Sequence, residues 1–241
     1  MKYFALWFEA PLQSWGCESK FGLRTTFSFP TKSGIAGIVL SSLGRGGEEK
    51  AFLQRFSDLE EFVVSYSRKD AVEFILTDFQ TVGNGYSSVQ DPWMNNMVPK
   101  KRDGGSAVGL SENAGSKLTY RQYLQDSFFG VVQEIPEDLC AEIEYGLTNP
   151  IWPVYLGRRC CVPTYPIYQG TFDSKEDAFV RISSIAYEKG LCEKERLVEG
   201  LSEDAYDSFF IMDVPVVFGK RKRYRDRLVS VIRPERRNAC Q

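Results

Sequence analysis

The sequence of 241 residues contains no histidine. Histidine is the usual general acid and base near neutral pH, and it completes Ser-His and Cys-His nucleophile pairs and many metal sites. Its absence argues against an enzyme, although a metal-free reaction can also use tyrosine and lysine. We expect no catalytic residue, no bound metal and no cofactor.

Long apolar runs and C-x-x-C pairs are also missing. No apolar stretch approaches the length of a membrane-spanning helix, and the apolar segment after Lys2 is too short for a secretory signal. The six cysteines form no C-x-x-C pair, and the adjacent Cys160 and Cys161 suit neither an ordinary disulfide nor a zinc site. We therefore expect a cytoplasmic protein with reduced thiols and no membrane contact.

A net positive charge is missing from residues 1–219 and is found at the C-terminal end of the chain. Residues 220–241 contain nine Lys or Arg and two acids, a net charge of +7, so that residues 1–219 carry −9. The densest part, Lys220–Arg227, includes Tyr224, and basic residues beside an aromatic ring favour contact with phosphate over a merely solvated surface. This basic tail is one candidate for nucleic-acid binding.

Residues 11–44 contain the most informative pattern, a strand that breaks before a helix. Apolar residues at helical spacing from Ile35 to Leu43 predict a helix over 31–43. Gly44 can end this helix, and Thr31 or Ser33 can cap its first turn. Backbone N–H groups at a helix start attract phosphate, but the same residues also suit a capped helix without a ligand.

Side chains around this helix start would supply the other contacts that single-stranded nucleic acid needs. Trp15 offers a stacking face, and Gln13 offers an amide for a base edge. Lys32 and Arg24 offer positive charge. The alternative for Trp15 is a place in the hydrophobic core, where isolated tryptophans usually lie.

The order of predicted elements indicates an α+β protein. Strand, helix, two strands and a further helix follow one another as in a ferredoxin-like βαββαβ unit with an antiparallel sheet. The predicted strands span 2–9, 61–67, 72–76, 118–124 and 128–132, and the predicted helices span 31–43, 48–57 and 136–148.

A segment without periodicity, about 81–117, interrupts this pattern. It is rich in Gly, Asn, Ser, Pro and Lys, and a loop of this length inside a compact domain is usually functional or disordered. With its flanking strands it would form a hairpin arm with a basic tip at Lys100, Lys101 and Arg102. The alternative is a disordered surface insertion.

We expect two regions along the chain. Residues 1–150 would form the ferredoxin-like domain with the insertion, and residues 151–241 a smaller, β-containing region packed on it. The acidic segment 173–208 gives no motif, and 209–218 predicts a late strand that leads into the basic tail, 220–241.

An adjacent pair of arginines lies in this second region. Arg158 and Arg159 follow Gly157 and precede loops rich in Pro and Tyr. Such a pair suits either a ligand phosphate or a buried acid.

Three sequence blocks together resemble one known family. They are P-L-Q-S-W-G with F-P-T-K-S-G-I-A-G at 11–37, L-T-Y-R-Q-Y-L-Q-D-S-F-F at 118–129, and Y-L-G-R-R-C-C-V-P-T-Y-P-I-Y-Q-G at 155–170. In this order they are similar to the CasD-type subunits that hold the guide-RNA 5′ end in type I-E Cascade, a CRISPR-associated complex, and that belong to the RAMP superfamily. The segment 81–117 occupies the position of that family's thumb.

The resemblance implies an RRM-like ferredoxin fold with a β-hairpin thumb and no nuclease activity. It implies a subunit that binds the 5′ handle of the crRNA, caps the backbone filament, and contacts CasC-type backbone and CasA-type large subunits, with target DNA reached only indirectly. The thumb here is longer and richer in Gly and Asn than the family pattern, and the tail is more basic. The residues that correspond to RNA contacts, together with the basic residues of the thumb, are Gln13, Ser14, Trp15, Arg24, Thr26, Lys32, Ser33, Lys100, Lys101, Arg102, Arg121, Arg158 and Arg159.

Two other functions stay open from the sequence. A metal-independent endoribonuclease that processes CRISPR precursor RNA would need tyrosine and lysine as its acid and base, which are weak in these roles without strong pKa tuning. An acidic domain whose basic tail binds nucleic acid unspecifically would keep most of its affinity in the tail alone.

Overall fold

Strands from both halves of the chain form one large sheet, and the α+β class is confirmed. The computed structural model describes residues 1–16, 22–69, 71, 74–82 and 117–234. The strands are β1 (Lys2–Gln13), β2 (Trp15–Gly16), β3 (Leu23–Arg24), β4 (Thr26–Phe27), β5 (Glu61–Arg68), β6 (Ile75–Val82), β7 (Lys117–Ile135), β8 (Tyr168–Phe172), β9 (Leu191–Glu199), β10 (Asp207–Val217) and β11 (Arg223–Ile232). The helices are α1 (Lys32–Ser42), α2 (Lys50–Phe56), α3 (Glu137–Thr148) and α4 (Lys175–Glu188).

The main sheet has the strand order β10–β11–β9–β5–β7–β1–β8. These neighbours are antiparallel, while the short β3 pairs with β7 in parallel. β2 and β4 form a separate two-stranded ladder. Because β9 pairs with β5, the strands after residue 151 extend the sheet that the first half of the chain begins.

The strand β7 is a single element of 19 residues, whereas the sequence predicts two strands over 118–124 and 128–132. Asp126 between them has a left-handed φ of 45°, but the ladder with β1 continues on both sides of it. The first part of β7 runs beyond β1 and pairs with β6, from Ile75 opposite Leu124 to Val82 opposite Lys117. We call β6 and residues 117–124 of β7 the arm; the predicted basic tip lies outside the described residues.

Three helices cover one face of the sheet and form the larger core. The predicted helix over 31–43 is confirmed as α1, with Thr31 as its cap, because the Gly34 N–H donates to Thr31 Oγ1 over 3.2 Å. Its apolar side buries Ile35 and Val39 against the sheet, together with residues of α2 and of α3. The predicted helices over 48–57 and 136–148 are confirmed as α2 and α3.

The fourth helix covers the opposite face and was not predicted. α4 lies in the acidic segment, where Ser174 caps it by accepting from the Asp177 N–H over 3.1 Å. Ala178, Ile182 and Ile185 pack on β1, β5 and β7 and form a second core. The sheet is therefore covered by helices on both faces over its central strands.

Among the cysteines that the structure describes, the prediction of reduced thiols is wrong at one position. Cys140, Cys160 and Cys161 are free thiols, whereas Cys192 in β9 is disulfide-bonded. In the parts of the chain that the structure describes, no helix is both long enough and apolar enough to span a membrane.

Candidate nucleic-acid interface

The start of α1 is filled by a carboxylate of the protein itself. The backbone N–H of Lys32 donates to Asp213 Oδ2 of β10 over 2.8 Å. The Lys32 side chain is fully buried, and its ammonium donates to Leu59 O and to Glu199 Oε2 over 2.8 and 2.7 Å. The hypothesis that Lys32 and this helix start bind phosphate is therefore wrong, because internal acids already occupy both.

A buried ionic network surrounds this contact. Arg227 of β11 donates from Nε and Nη2 to both Asp213 oxygens over 2.7 and 2.8 Å. Its Nη2 also lies 3.1 Å from Glu61 Oε1, which accepts no hydrogen bond. Burial raises the pKa of Glu61 to about 7, against the attraction of Arg227 and Lys32. When Glu61 is protonated below that pH, the side chains of Lys32 and Arg227 face the carboxylates of Asp213 and Glu199.

The proposed stacking residue belongs to the core. Trp15 is 1% exposed, lies against the Phe8 ring at a centroid distance of 5.4 Å, and donates from Nε1 to Gln13 Oε1 over 3.2 Å. The Gln13 amide donates in turn to Ser127 O over 2.6 Å and is fully buried. A Cβ on Gly34 would lie 2.9 Å from the Trp15 ring, so this glycine makes room for it. Neither the Trp15 ring nor the Gln13 amide is free to contact a base, which corrects both assignments.

The three sequence blocks of the resemblance meet at one junction. Gly157 has φ of 104°, and a Cβ there would lie 1.7 Å from Ser14 O, so only glycine fits. The Ser14 N–H donates to Leu156 O over 3.1 Å, and its hydroxyl to Gln122 O over 3.4 Å. Residues 11–16, 118–129 and 155–170 are thus joined by direct contacts.

Arg158 stabilises this junction through hydrogen bonds within the protein. It donates to Gln122 O and Arg24 O over 2.9 and 3.0 Å, and its guanidinium lies 4.6 Å from the centroid of the Tyr123 ring. These contacts hold β3 beside β7. The neighbouring Arg159 is exposed, so the two arginines differ in role.

The arm presents positive charge at its base. In the sheet, Arg121 on β7 is the register partner of Arg24 on β3 and of Asp78 on β6. These three residues therefore lie in a row across the three strands. Arg24 is exposed and Arg121 is half-buried. Thr26 differs from them, because its hydroxyl accepts the Trp15 N–H over 2.7 Å and fixes the β2–β4 ladder. Lys100, Lys101 and Arg102 lie outside the described residues.

The outer face of α1 forms the floor of a groove of about 450 Å³. Ser33, Gly37 and Ser41 line it at intervals of four residues and share one side of the helix. A Cβ on Gly37 would have no neighbour within 4 Å, so the groove is open above this position. Small side chains allow a polymer backbone to approach the helix closely.

The rim of the groove combines cations and aromatic rings from distant parts of the chain. The groove is also lined by Arg45, by Trp152, and by Lys222 and Tyr224 of the basic tail. Arg45 pairs with Glu49 over 3.0 Å, whereas the side chain of Lys222 is exposed. Trp152 is 45% exposed and offers part of its ring to a ligand. Stacking faces beside cations are the features that single-stranded nucleic acid binds.

Sequence reasoning identified part of this groove and missed the rest. It singled out Ser33 and the tail segment with Lys222, but not Arg45 or Trp152. The available signal was the run Gly44–Gly47, where three glycines surround Arg45 and open the turn after α1. Nothing in the sequence placed Trp152 near this turn.

The tyrosines offer no general base of lowered pKa among the groups whose shift is resolved. Burial raises the pKa of Tyr66, of Tyr123 and of Tyr224, which is the direction opposite to the one a base needs at neutral pH. Within the described residues, no three Cys, Asp or Glu side chains are placed to hold a metal ion.

Comparisons with known proteins indicate one family of proteins. The family model for the CRISPR-associated protein Cas5 matches residues 3–233. The CRISPR system Cascade subunit CasD of Escherichia coli strain K12 is 30% identical over 183 residues, which are 72% of this chain and 73% of the relative. A chain of a solved structure described as a CRISPR RNA-guided surveillance complex has a TM-score of 0.71 at 25% identity, covering 97% of this chain and 90% of that one. A crystal structure described as a Cas protein, with a TM-score of 0.61 at 21% identity, covers 99% and 98% and shows the same fold.

The chain is thus an α+β protein with basic and aromatic side chains lining a groove on α1 and with an arm formed by β6 and β7. The chain belongs to the Cas5 family of CRISPR-associated proteins. The resemblance to CasD-type subunits is thereby confirmed, and the alternative of an RNA-processing enzyme is not favoured.

Proposed function

We propose that this protein is a guide-RNA-binding subunit of a CRISPR surveillance complex of the Cascade type. The relative from Escherichia coli is named as a subunit of Cascade, and the structural relative belongs to an RNA-guided complex. The observation that carries the proposal is the groove on α1, because its small floor and its cationic, aromatic rim suit an RNA strand.

In this proposal the RNA backbone lies along the outer face of α1. Ser33 lines the floor, and Lys222 neutralises phosphate from the rim while Trp152 stacks on a base. The strand then continues toward the arm, where Arg24, Arg121 and Arg159 supply further charge. Affinity comes from the phosphate contacts, and the sequence of the target is left to base pairing by the guide.

The RNA segment, the neighbouring subunits and the role are assigned by analogy with CasD-type subunits. The RNA segment is the 5′ handle of the crRNA, the neighbours are CasC-type backbone and CasA-type large subunits, and target DNA is contacted only through the guide. The role is non-catalytic, and the complex is cytoplasmic. The order β8–β1–β7–β5 with α1 and α3 on one face supports a ferredoxin-like βαββαβ core with a thumb.

The groove is tested most directly by filling it at Gly37. Gly37→Gln places a polar side chain into open space, and the helix itself gains about 0.5 to 1 kcal/mol because glycine is a poor helix former. We expect binding of a repeat-derived RNA to the full-length protein to weaken by about tenfold or more, which is one to two lost contacts, without a fall in Tm. Fluorescence anisotropy and thermal melts measure the two effects.

A control and a second substitution make this test specific. Ser184→Gln on the exposed side of α4 changes the same kind of helical position away from the groove and should leave RNA affinity unchanged. Lys222→Gln should lower the slope of log affinity against log salt by about one, as expected for one lost phosphate contact. Wild-type RNA affinity in Gly37→Gln would refute the groove as the RNA site.

A further inference from the structure

In the part of the chain that the structure describes, no helix packs on one end of the sheet on the face that α4 covers elsewhere. α4 packs on β1, β7, β8 and β9, but not to any comparable extent on β10 or β11. The opposite face of these two strands is buried under α1 and α2. Within the described residues, β10 and β11 therefore expose one side of the sheet.

The side chains on this exposed side are largely apolar. Phe210 and Met212 of β10 are 75% and 62% exposed. Phe210 pairs across the ladder with the half-buried Leu228. We call Phe210, Met212 and Leu228 the β10 face. Such a cluster on an edge strand costs solubility unless something covers it.

The strand edge itself is poorly suited to pairing with a further strand. The β10–β11 register shifts between Met212 and Val214 and again between Pro215 and Val217. Pro215 has no N–H to donate, and such irregularities block strand addition. An occupant therefore packs on the side chains of the β10 face rather than extending the sheet.

The charges opposite Met212 and within the loop 201–206 are acidic. Asp226 lies directly opposite Met212. Glu203 and Asp204 are exposed in the neighbouring loop, in which the Ser202 N–H donates to Ser230 Oγ of β11. These carboxylates repel RNA. They also disfavour α4 of a second copy, whose exposed side carries acids at positions 176, 177 and 188. The complementary occupant has an apolar stripe with basic residues beside it.

We infer that the β10 face binds an amphipathic α-helix of a neighbouring protein subunit. The helix lies beside α4 on the same side of the sheet, its apolar stripe covers Phe210 and Met212, and its Lys or Arg residues meet Asp226. The inference rests on the proposed function only in that it takes the neighbour from the same ribonucleoprotein complex.

The test uses the full complex, co-expressed with a guide RNA and purified through this subunit. Phe210→Ser combined with Met212→Ser should reduce the amount of one copurified protein subunit by about tenfold or more. This is the loss expected when two anchoring side chains are removed. Because both residues are exposed, the Tm of the free variant should stay within a few degrees of wild type. Val180→Ser with Tyr187→Ser, on the exposed side of α4, is the matched control and should leave the composition unchanged.

Carbodiimide cross-linking of the wild-type complex supplies the second measurement, because it joins carboxylates to lysines in direct contact. We expect Asp226 to be linked to a lysine of an amphipathic helix in another subunit. Unchanged composition of the double variant, or Asp226 links confined to this chain or to a second copy of it, would overturn the inference. Loss of RNA binding by the free double variant would also overturn it, by making the β10 face an RNA surface. RNA binding of Gly37→Gln tests the proposed function separately.

Discussion

Replacing Glu61 by glutamine should make the folded protein more stable at and above neutral pH. Glu61 is fully buried in the ionic network of Lys32, Asp213 and Arg227, and burial raises its pKa from 4.5 to about 7. Between these two values the folded state keeps a proton that the unfolded state releases. Stability from this group is therefore highest below the unfolded pKa and falls as the pH rises through the folded one.

The size of the effect follows from the shift. Each unit of pKa difference corresponds to about 1.4 kcal/mol, so the window from 4.5 to about 7 corresponds to a loss of about 3 kcal/mol in the wild type. Glutamine has nearly the same shape and no proton to lose. The free energy of unfolding of Glu61→Gln minus that of wild type should therefore rise by about 3 kcal/mol between about pH 4.5 and about pH 8.

Urea unfolding followed by tryptophan fluorescence across this pH range measures the difference. Val63→Ala, on the same strand, is the control: it creates a small cavity without changing a titrating group, so its destabilisation should be the same at each pH. Parallel pH profiles of the wild type and Glu61→Gln would refute the reasoning, because they would mean that the pKa of Glu61 is the same in the folded and the unfolded protein.

The remaining predictions concern the junction, the network and the chemistry. Gly157→Ala should lower the free energy of unfolding by more than about 1 kcal/mol, because its Cβ would collide with Ser14 O at a positive φ; an unchanged urea midpoint would contradict this. Asp213→Asn should cost about 3 kcal/mol or more, since it leaves Arg227 buried without its main counter-charge, and a smaller loss at every pH would show that water replaces the acid. Trp15→Ala should cost about 3 to 5 kcal/mol of stability, whereas normal stability with weak RNA binding would restore a stacking role. The purified protein should leave repeat RNA intact with or without magnesium; site-specific cutting that a tyrosine substitution abolishes would favour the processing enzyme.

Local signals were sufficient to predict most elements of the first half of the chain. The helix α1 followed from the spacing of Ile35 and Val39 and from the cap at Thr31, all within a few residues. The same kind of signal marked α4, where Ser174 precedes Asp177 and Ile182 begins to repeat, but the acidic composition around it obscured the pattern. Such signals are local in sequence, so they can be recognised without knowledge of the tertiary structure.

The candidate site was less predictable, because its chemistry depends on partners far away in sequence. Lys32 and Trp15 have the residue types of an RNA site, and only the fold brings Asp213 to the one and Phe8 to the other. The groove was missed for the same reason, since Trp152 joins the turn at Arg45 only after the chain has folded. Residue type indicates what a side chain can do, while burial decides whether a ligand can reach it.

The carboxylate at the start of α1 constrains when the protein can finish folding during synthesis. The first helix forms near the N-terminus, but its acceptor, Asp213, follows Lys32 by 181 residues. At the usual rate of translation of about 5 to 20 residues per second, the ribosome needs about 10 to 40 seconds to add them. During that interval the first helical N–H lacks its native carboxylate, and the Lys32 ammonium lacks Glu199, which follows it by 167 residues, for most of the same time. Chains that stop before β10 lack this carboxylate and should therefore be less stable than the full-length protein.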